Sequence, residues 1–217
     1  MLKKERFRFL INYFTTHYPT AETELQFSNA YELLVAVILS AQCTDKRINQ
    51  LSPALFARFP DAASLAAASV EEVFAYIRSV SYPNNKAKHL VGMARLLMSD
   101  FGGEVPGTIE ELVRLPGVGR KTAHVILSII YNQPTMAVDT HVFRVSHRLG
   151  LVPKTATTPL AVERGLMGHI PTELVARSHH WLILHGRYVC MARSPKCGDC
   201  ALREACRYYE KRVISDE

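Results

Sequence analysis

The sequence LPGVGRK, at residues 115–121, joins two predicted helices through a short glycine-containing hairpin. Gly117 and Gly119 are expected to allow backbone angles closed to other residues, and they let a phosphate approach the amides at the start of the second helix. The helix dipole favours an anion at that end. A plain turn between packed helices is the alternative, and an isolated Gly-x-Gly would favour it. Because both helices are well marked and the basic pair Arg120 and Lys121 follows at once, the hairpin predicts a grip on a nucleic-acid backbone, which positions a partner without reading its sequence.

The rest of the chain has a helical hydrophobic pattern. Apolar residues recur at steps of three and four, no run of alternating residues predicts a strand, and most prolines fall at predicted helix ends. We therefore predict an all-α fold. The predicted helices cover Lys4–Tyr18, Ala30–Gln42, Lys46–Phe59, Ser69–Val80, Asn84–Phe101, Thr108–Leu115, Lys121–Tyr131, Thr140–Leu149, Pro159–Gly168 and Glu173–Gly186.

Composition and charge limit the class of protein. The chain has 217 residues, enough for one large domain or two small ones, and its 48% hydrophobic and 21% charged residues are ordinary for a globular protein. The formal net charge of +6 suits a polyanionic partner. No signal peptide is visible, and the longest apolar run, Leu33–Leu39, is too short to span a bilayer. We therefore expect no membrane partner and a cytoplasmic location.

Four of the five cysteines lie close together near the C-terminus, at Cys190, Cys197, Cys200 and Cys206. In a reducing compartment such a group favours a metal site over disulfides. Their spacing, with a single C-x2-C, leaves zinc and an iron–sulfur cluster both open.

Several segments together resemble the endonuclease III family of DNA glycosylases. The helix-hairpin-helix motif LPGVGRKTA begins at Leu115, and the match continues in VDTH at residues 138–141 and in the C-x6-C-x2-C-x5-C spacing from Cys190. SAQ at residues 40–42 and WLILHGR at residues 181–187 extend the resemblance over almost the whole chain.

The resemblance implies an architecture and a cofactor. The fold would be a two-lobed helix-hairpin-helix DNA glycosylase fold with an iron–sulfur cluster loop. One helical domain, residues 22–132, would carry the hairpin. The other, residues 1–21 with 133–217, would hold a [4Fe–4S] cluster on the four cysteines. Arg193 and Lys196 would turn towards the DNA backbone, and the protein would act as a monomer associated with the nucleoid.

The resemblance also implies an activity: base excision repair by a bifunctional DNA N-glycosylase that removes oxidised or damaged pyrimidines and cleaves the abasic site. Lys121 would attack C1′ of the damaged nucleotide, expel the base and form a Schiff base, and β-elimination would then break the strand. Asp139 would help to deprotonate the amine and stabilise positive charge on the sugar. A helix dipole contributes only about 0.3–1 kcal/mol, so desolvation or proton transfer to Asp139 must supply most of the activation. Asp139 can also cap a helix.

Two loops are expected to contact double-stranded DNA where the damaged base leaves the stack. Gln42 matches the family in the first loop. In the second, the family has glycine, a bulky apolar residue and Tyr-Asn, whereas this chain has SYPN at residues 81–84, which makes Tyr82 the predicted wedge. Cys43 stands where alanine is usual. The predicted DNA contacts are Gln42, Tyr82, Gly117, Gly119, Arg120, Arg193 and Lys196.

Two other functions fit parts of the pattern. A related adenine glycosylase removes a mispaired base without lyase chemistry, but that enzyme usually lacks a lysine at the position of Lys121. A non-enzymatic helix-hairpin-helix module would bind DNA, but it would need neither Lys121 nor Asp139. Trapping with borohydride separates the module from the enzyme, because only a Schiff base is reduced to a stable covalent complex.

Overall fold

The computed structural model describes residues 1–215, and throughout this part of the chain the regular structure is helical, with no strand. The predicted all-α class is confirmed. A short 3-10 helix covers Arg203–Ala205. The α-helices are α1 (Lys3–His17), α2 (Ala30–Ser40), α3 (Asp45–Arg58), α4 (Ala62–Ala67), α5 (Val70–Ile77), α6 (Pro83–Asp100), α7 (Ile109–Leu112), α8 (Arg120–Ile130), α9 (Thr140–Leu149), α10 (Pro159–Met167), α11 (Thr172–Tyr188) and α12 (Arg207–Ser215).

The contacts divide the chain into two compact units. Residues 24–133, with helices α2 to α8, form one unit, which we call the hairpin unit. Residues 1–23 and 134–217, with helices α1 and α9 to α12, form the other, which we call the cysteine unit.

The hairpin unit is built around α2. This helix has the sequence AYELLVAVILS, and its residues from Tyr31 to Leu39, apart from Glu32, are buried. A helix that is apolar on all sides must be covered on all sides, and α3, α6 and α8 contact it. Burial of these side chains is the main favourable term in folding this unit.

Most helices of the hairpin unit begin with a side-chain cap. The capping oxygens accept a hydrogen bond from the third backbone amide of the helix, which satisfies one donor that lacks a partner within the helix. The capping residues are Asn29, Thr44, Asp61, Ser69 and Thr108. The two exceptions are α6 and α8, which start without a side-chain cap.

The cysteine unit connects the two ends of the chain. The Phe14 ring of α1 stacks on Trp181 of α11 with 5.5 Å between ring centroids, and the Trp181 indole donates a hydrogen bond to the carbonyl of Tyr18. The buried Arg6 donates from Nε to the carbonyl of Ala205 at 2.6 Å. The N-terminal helix is therefore part of the C-terminal core.

A search of residues 1–215 for membrane-spanning segments finds no helix that is both long and apolar enough to cross a bilayer.

Candidate functional site

The hairpin connects α7 to α8 and is fixed by two buried side chains. Leu115 and Val118 are buried, and the amide of Val118 donates to the carbonyl of Leu115 at 3.0 Å. Gly117 lies between them with φ +82°, and a Cβ at this position would lie 3.0 Å from Cβ of His89. The turn therefore requires glycine at residue 117, both for its backbone angle and for its packing.

Gly119 does not have the role predicted for its backbone. Its φ of −95° and ψ of 177° are extended angles that any residue adopts, so the expectation of a special backbone angle was wrong for this glycine. A Cβ at Gly119 would meet nothing within 4 Å. The missing side chain leaves open space beside the start of α8, so the fold itself does not require glycine here.

Helix α8 presents an N-terminus suited to an anion. Gly119 precedes it without a side-chain cap, and its first turn contains no acidic residue. Arg120 and Lys121 occupy its first two positions, and both are exposed. The apolar face behind them, including Ile126, is buried in the core of the hairpin unit. The amine of Lys121 is thus carried on a rigid helix and remains accessible.

Asp139 lies in the cysteine unit as the N-cap of α9. Its Oδ1 accepts a hydrogen bond from the amide of Val142 at 2.8 Å, and its side chain is half-buried. The preceding Val138 is buried, which fixes the chain as it enters the helix. A capping aspartate has one oxygen committed to the helix and a second oxygen that can act elsewhere.

The predicted wedge loops adjoin each other in the hairpin unit. Gln42, in the turn after α2, is exposed and has φ 57°. Tyr82, immediately before α6, has φ 54° and ψ 50° and is 61% exposed. Both residues therefore adopt the left-handed conformation, which is uncommon for residues with side chains. The hydroxyl of Ser81 donates to the carbonyl of Gln42 at 2.8 Å, which links the two loops.

Lys86 is a buried residue in this region that was not predicted. Its ammonium donates to the carbonyls of Leu39 at 2.8 Å and Ala41 at 2.6 Å, at the C-terminal end of α2, where the helix dipole favours a cation. Burial lowers its pKa, although the neighbouring Cys43 opposes the shift. The signal was present in the sequence, because Lys86 lies four positions before the apolar Leu90 and so falls on the buried face of α6.

The four clustered cysteines surround one pocket of the cysteine unit. The pocket holds about 320 Å³ of space, part of it open to solvent, and Cys190, Cys197, Cys200 and Cys206 all line it. The thiols are spread around this space, and in the described part of the chain no three His, Cys, Asp or Glu side chains are grouped tightly enough to hold a single metal ion. Burial raises the pKa of Cys200 and Cys206; hydrogen bonds from backbone amides oppose the rise, and the neighbouring thiols add to it. Ionisation of these thiols therefore needs a compensating cation.

Two arginines of α9 form hydrogen bonds with the backbone at residues 190–192, where the cysteine-containing segment begins. Arg148 donates to the carbonyls of Met191 at 2.6 Å and Ala192 at 3.0 Å and to the sulfur of Cys190 at 3.5 Å. Arg144 donates to the carbonyl of Cys190 at 3.1 Å. The sequence did not predict these contacts, because the carbonyls lie more than forty residues away along the chain.

Arg193 and Lys196 are exposed on the segment between the first two cysteines. The backbone there turns sharply, with Ser194 at φ 48° and the amide of Lys196 donating to the carbonyl of Val189 at 3.0 Å. The two cations are therefore carried on an ordered loop at the surface of the cysteine unit.

The hairpin between α7 and α8 defines a helix-hairpin-helix protein, and its family follows from comparison. The model of the HhH-GPD superfamily base excision DNA repair protein matches residues 35–172, which include the hairpin and Asp139. This chain therefore belongs to the HhH-GPD superfamily of base excision DNA repair proteins.

Individual relatives resemble it over most of its length. Endonuclease III of Rickettsia conorii (strain ATCC VR-613 / Malish 7) is 45% identical over 90% of this chain and 92% of the relative. Endonuclease III of Bacillus subtilis (strain 168) is 43% identical over 98% of this chain and 96% of the relative. A solved structure of a trapped endonuclease III–DNA covalent intermediate has a TM-score of 0.92 and 42% identity, covering 98% of this chain and all of that chain. These findings confirm the predicted family, the fold, DNA as partner and a glycosylase and abasic-site lyase role in base excision repair.

Proposed function

We propose that Lys121 is the nucleophile of this enzyme and that its substrate is double-stranded DNA carrying an oxidised pyrimidine or an abasic site. The observation that carries this proposal is the exposed amine of Lys121 in the first turn of the uncapped helix α8, directly after the hairpin. The same helix end would hold a phosphate of the damaged strand through its backbone amides, next to Gly117, Gly119 and Arg120.

The reaction follows from amine chemistry. The neutral amine of Lys121 attacks C1′, the bond from C1′ to the base breaks, and the base leaves with a proton. Opening of the sugar ring gives a protonated Schiff base between Nζ and C1′. Loss of a proton from C2′ then expels the 3′ phosphate by β-elimination. Water hydrolyses the Schiff base and returns the free lysine.

Asp139 is the proposed partner in proton transfer. The Lys121 amine must lose a proton before it attacks, and a carboxylate can accept that proton and stabilise positive charge on the sugar. The hydrogen bond from the Val142 amide holds the Asp139 side chain in one orientation. The cap of α9 therefore supports the catalytic role.

We further propose that the cysteine pocket holds a [4Fe–4S] cluster. The four thiols line one pocket, and four cysteine thiolates are the usual ligands of a [4Fe–4S] cluster. Cys190, Cys197, Cys200 and Cys206 would be the ligands. The bound cluster would fix the segment from residue 190 to residue 206, and Arg193 and Lys196 on that segment would contact the phosphates of chromosomal DNA in the nucleoid.

Borohydride trapping tests the function. Wild type, Lys121→Ala and the surface control Lys154→Ala are incubated with duplex DNA containing an oxidised pyrimidine or an abasic site, and sodium borohydride is added. We expect a covalent complex with wild type and with Lys154→Ala, and none with Lys121→Ala. An undiminished complex with Lys121→Ala would exclude Lys121 as the nucleophile.

A visible absorption spectrum of the purified protein tests the cluster. An iron–sulfur cluster absorbs visible light, whereas a zinc site is colourless.

A further inference from the structure

Three side chains connect the turn after α2 to the turn before α6. The amide of Ser81 donates to the sulfur of Cys43 at 3.2 Å, and the Cys43 thiol lies 3.6 Å from the Ser81 hydroxyl. The hydroxyl also donates to the carbonyl of Gln42. Lys86 lies behind both turns, with its ammonium 3.8 Å from the sulfur of Cys43. Cys43 directly follows Gln42 and Ser81 directly precedes Tyr82, so these contacts join the residues next to the two exposed side chains.

The two residues that meet both depart from the pattern of the family that the sequence resembles. Cys43 stands in place of alanine and Ser81 in place of glycine. Neither alanine nor glycine has a side-chain atom that could form these hydrogen bonds. The third departure, Pro83, fixes its own φ at the first position of α6 and so stiffens the loop that carries Tyr82.

We propose that Cys43 and Ser81 are a coupled pair of positioning residues, anchored by Lys86, that set the spacing of Gln42 and Tyr82 for insertion into duplex DNA. The left-handed angles of Gln42 and Tyr82 are unfavourable for residues with side chains, so their surroundings must hold them. The proposal rests on the proposed function, because Gln42 and Tyr82 would insert only where a damaged nucleotide leaves the stack of a duplex.

A double-mutant cycle tests the coupling. Wild type, Cys43→Ala, Ser81→Ala and the double variant are compared in single-turnover cleavage of duplex DNA with an oxidised pyrimidine. We expect each single variant to be slower by about three- to tenfold, the effect of one lost hydrogen bond. The loss in the double variant should be smaller than the product of the two single losses. Independent effects that multiply would overturn the coupling.

Trapping on single-stranded DNA separates a positioning defect from a general structural defect, because a structural defect would lower activity on both substrates. An abasic site in a single strand needs no gap to be filled, so borohydride trapping on it should stay within about twofold of wild type for both single variants. An equal fall on single-stranded and duplex DNA would overturn the proposal. Ser99→Ala, which removes an exposed hydroxyl at the far end of α6, is the matched control and should behave as wild type on both substrates.

Lys86→Met tests the anchor, with the exposed Lys88→Met as its control on the same helix. Lys86→Met removes two charge-assisted hydrogen bonds, so we expect at least a tenfold slower reaction on duplex DNA, about the effect of 1.4 kcal/mol, and trapping on single strands close to wild type. An unchanged duplex rate would overturn the role of Lys86. If Lys86→Met does not fold, the proposal is decided by the rates of Ser81→Ala on duplex and single-stranded DNA.

The outcomes also separate this inference from the proposed function. If wild type forms no trapped complex with any DNA, both fail. If trapping depends on Lys121 while Cys43→Ala and Ser81→Ala match wild type on duplex DNA, only the positioning role fails.

Discussion

The hairpin unit and the cysteine unit stabilise their interiors in different ways. The hairpin unit has a continuous apolar core, and the buried ammonium of Lys86 contacts carbonyls at a helix end. The cysteine unit buries Arg6, His180 and His185 within its core and carries thiols around a pocket. Apolar burial responds little to protons or metals, whereas buried ionisable groups and thiols respond to both. Changes in metal content or pH should therefore affect the two units unequally.

Loss of the proposed cluster should have the largest effect. Oxidative removal of iron leaves four thiols around a pocket with no cation to hold them, and we expect the cysteine unit to lose several kcal/mol of stability. Hydrogen exchange followed by mass spectrometry measures this segment by segment. Residues 190–206 should lose their protection, while α2 and α8 keep theirs and serve as the internal control. Equal loss in both units would contradict the distinction between them.

Asp139→Asn should separate catalysis from capping. Asparagine caps a helix about as well as aspartate, so the free energy of unfolding should stay close to that of wild type. It cannot accept a proton as a carboxylate does, so single-turnover cleavage should fall by about 10²- to 10⁴-fold.

Asp61→Asn is the matched control for this change. Asp61 caps α4 in the hairpin unit through a hydrogen bond from Ser64 at 2.8 Å, and its replacement should leave cleavage unchanged. Full activity in Asp139→Asn would remove Asp139 from the mechanism.

The buried histidines should make the cysteine unit sensitive to acid. Burial lowers the pKa of His180 from 6.5 to about 4. Between these values the unfolded chain binds a proton that the folded chain does not, so stability is complete above pH 6.5 and falls as the pH approaches 4. The loss amounts to roughly 3 kcal/mol for one such histidine.

Urea unfolding of wild type and His180→Leu at pH 7 and pH 4.5 measures this loss. The variant should lose less stability on acidification, although His185, whose pKa is also lowered to about 4 by burial, keeps part of the dependence. Identical losses in the two proteins would show that His180 does not titrate as expected.

The two glycines of the hairpin should differ from each other in their effects on stability and on DNA affinity. Gly117→Ala places a side chain at φ +82° and should cost about 1–2 kcal/mol of unfolding free energy. Gly119→Ala has ordinary angles and open space, so its stability should stay within about 0.5 kcal/mol of wild type. If a phosphate contacts the start of α8 as proposed, the added methyl group should nevertheless lower the affinity for duplex DNA. Normal DNA affinity in Gly119→Ala would argue against contact at this residue.

The sequence predicted the long helices well, because their apolar faces repeat. Two α-helices were missed. One is α4, whose sequence AASLAA is too short and too uniform to show a period. The other is α12 (Arg207–Ser215), whose sequence RYYEKRVIS is short and mostly polar. The end of α2 was placed two residues late, at Gln42, because nothing local shows that the chain leaves the helix after Ser40. The left-handed turn there depends on Ser81 and Lys86, which lie about forty residues further along.

Candidate site residues could be proposed from the sequence where a motif is local, and their roles depend on distant contacts. The hairpin, Asp139 and the four cysteines each form a short pattern. The coupling of Cys43 to Ser81 could not be predicted, because only the fold brings these two residues together. Gly119 shows the reverse limit: the motif suggested a special backbone angle, but the angles of this glycine are ordinary.

The hydrogen bond from Arg6 to the carbonyl of Ala205 has a consequence for how the chain is made. These residues are 199 positions apart, and the carbonyl of Tyr18 likewise accepts its hydrogen bond from the distant Trp181. During synthesis the hairpin unit has its whole sequence once residue 133 has left the ribosome, and domains generally fold as units in order of synthesis. Helix α1 emerges before the hairpin unit but receives its partners after it. A helix that is translated before the hairpin unit is thus completed later than that unit, and its apolar face must stay soluble in the interval.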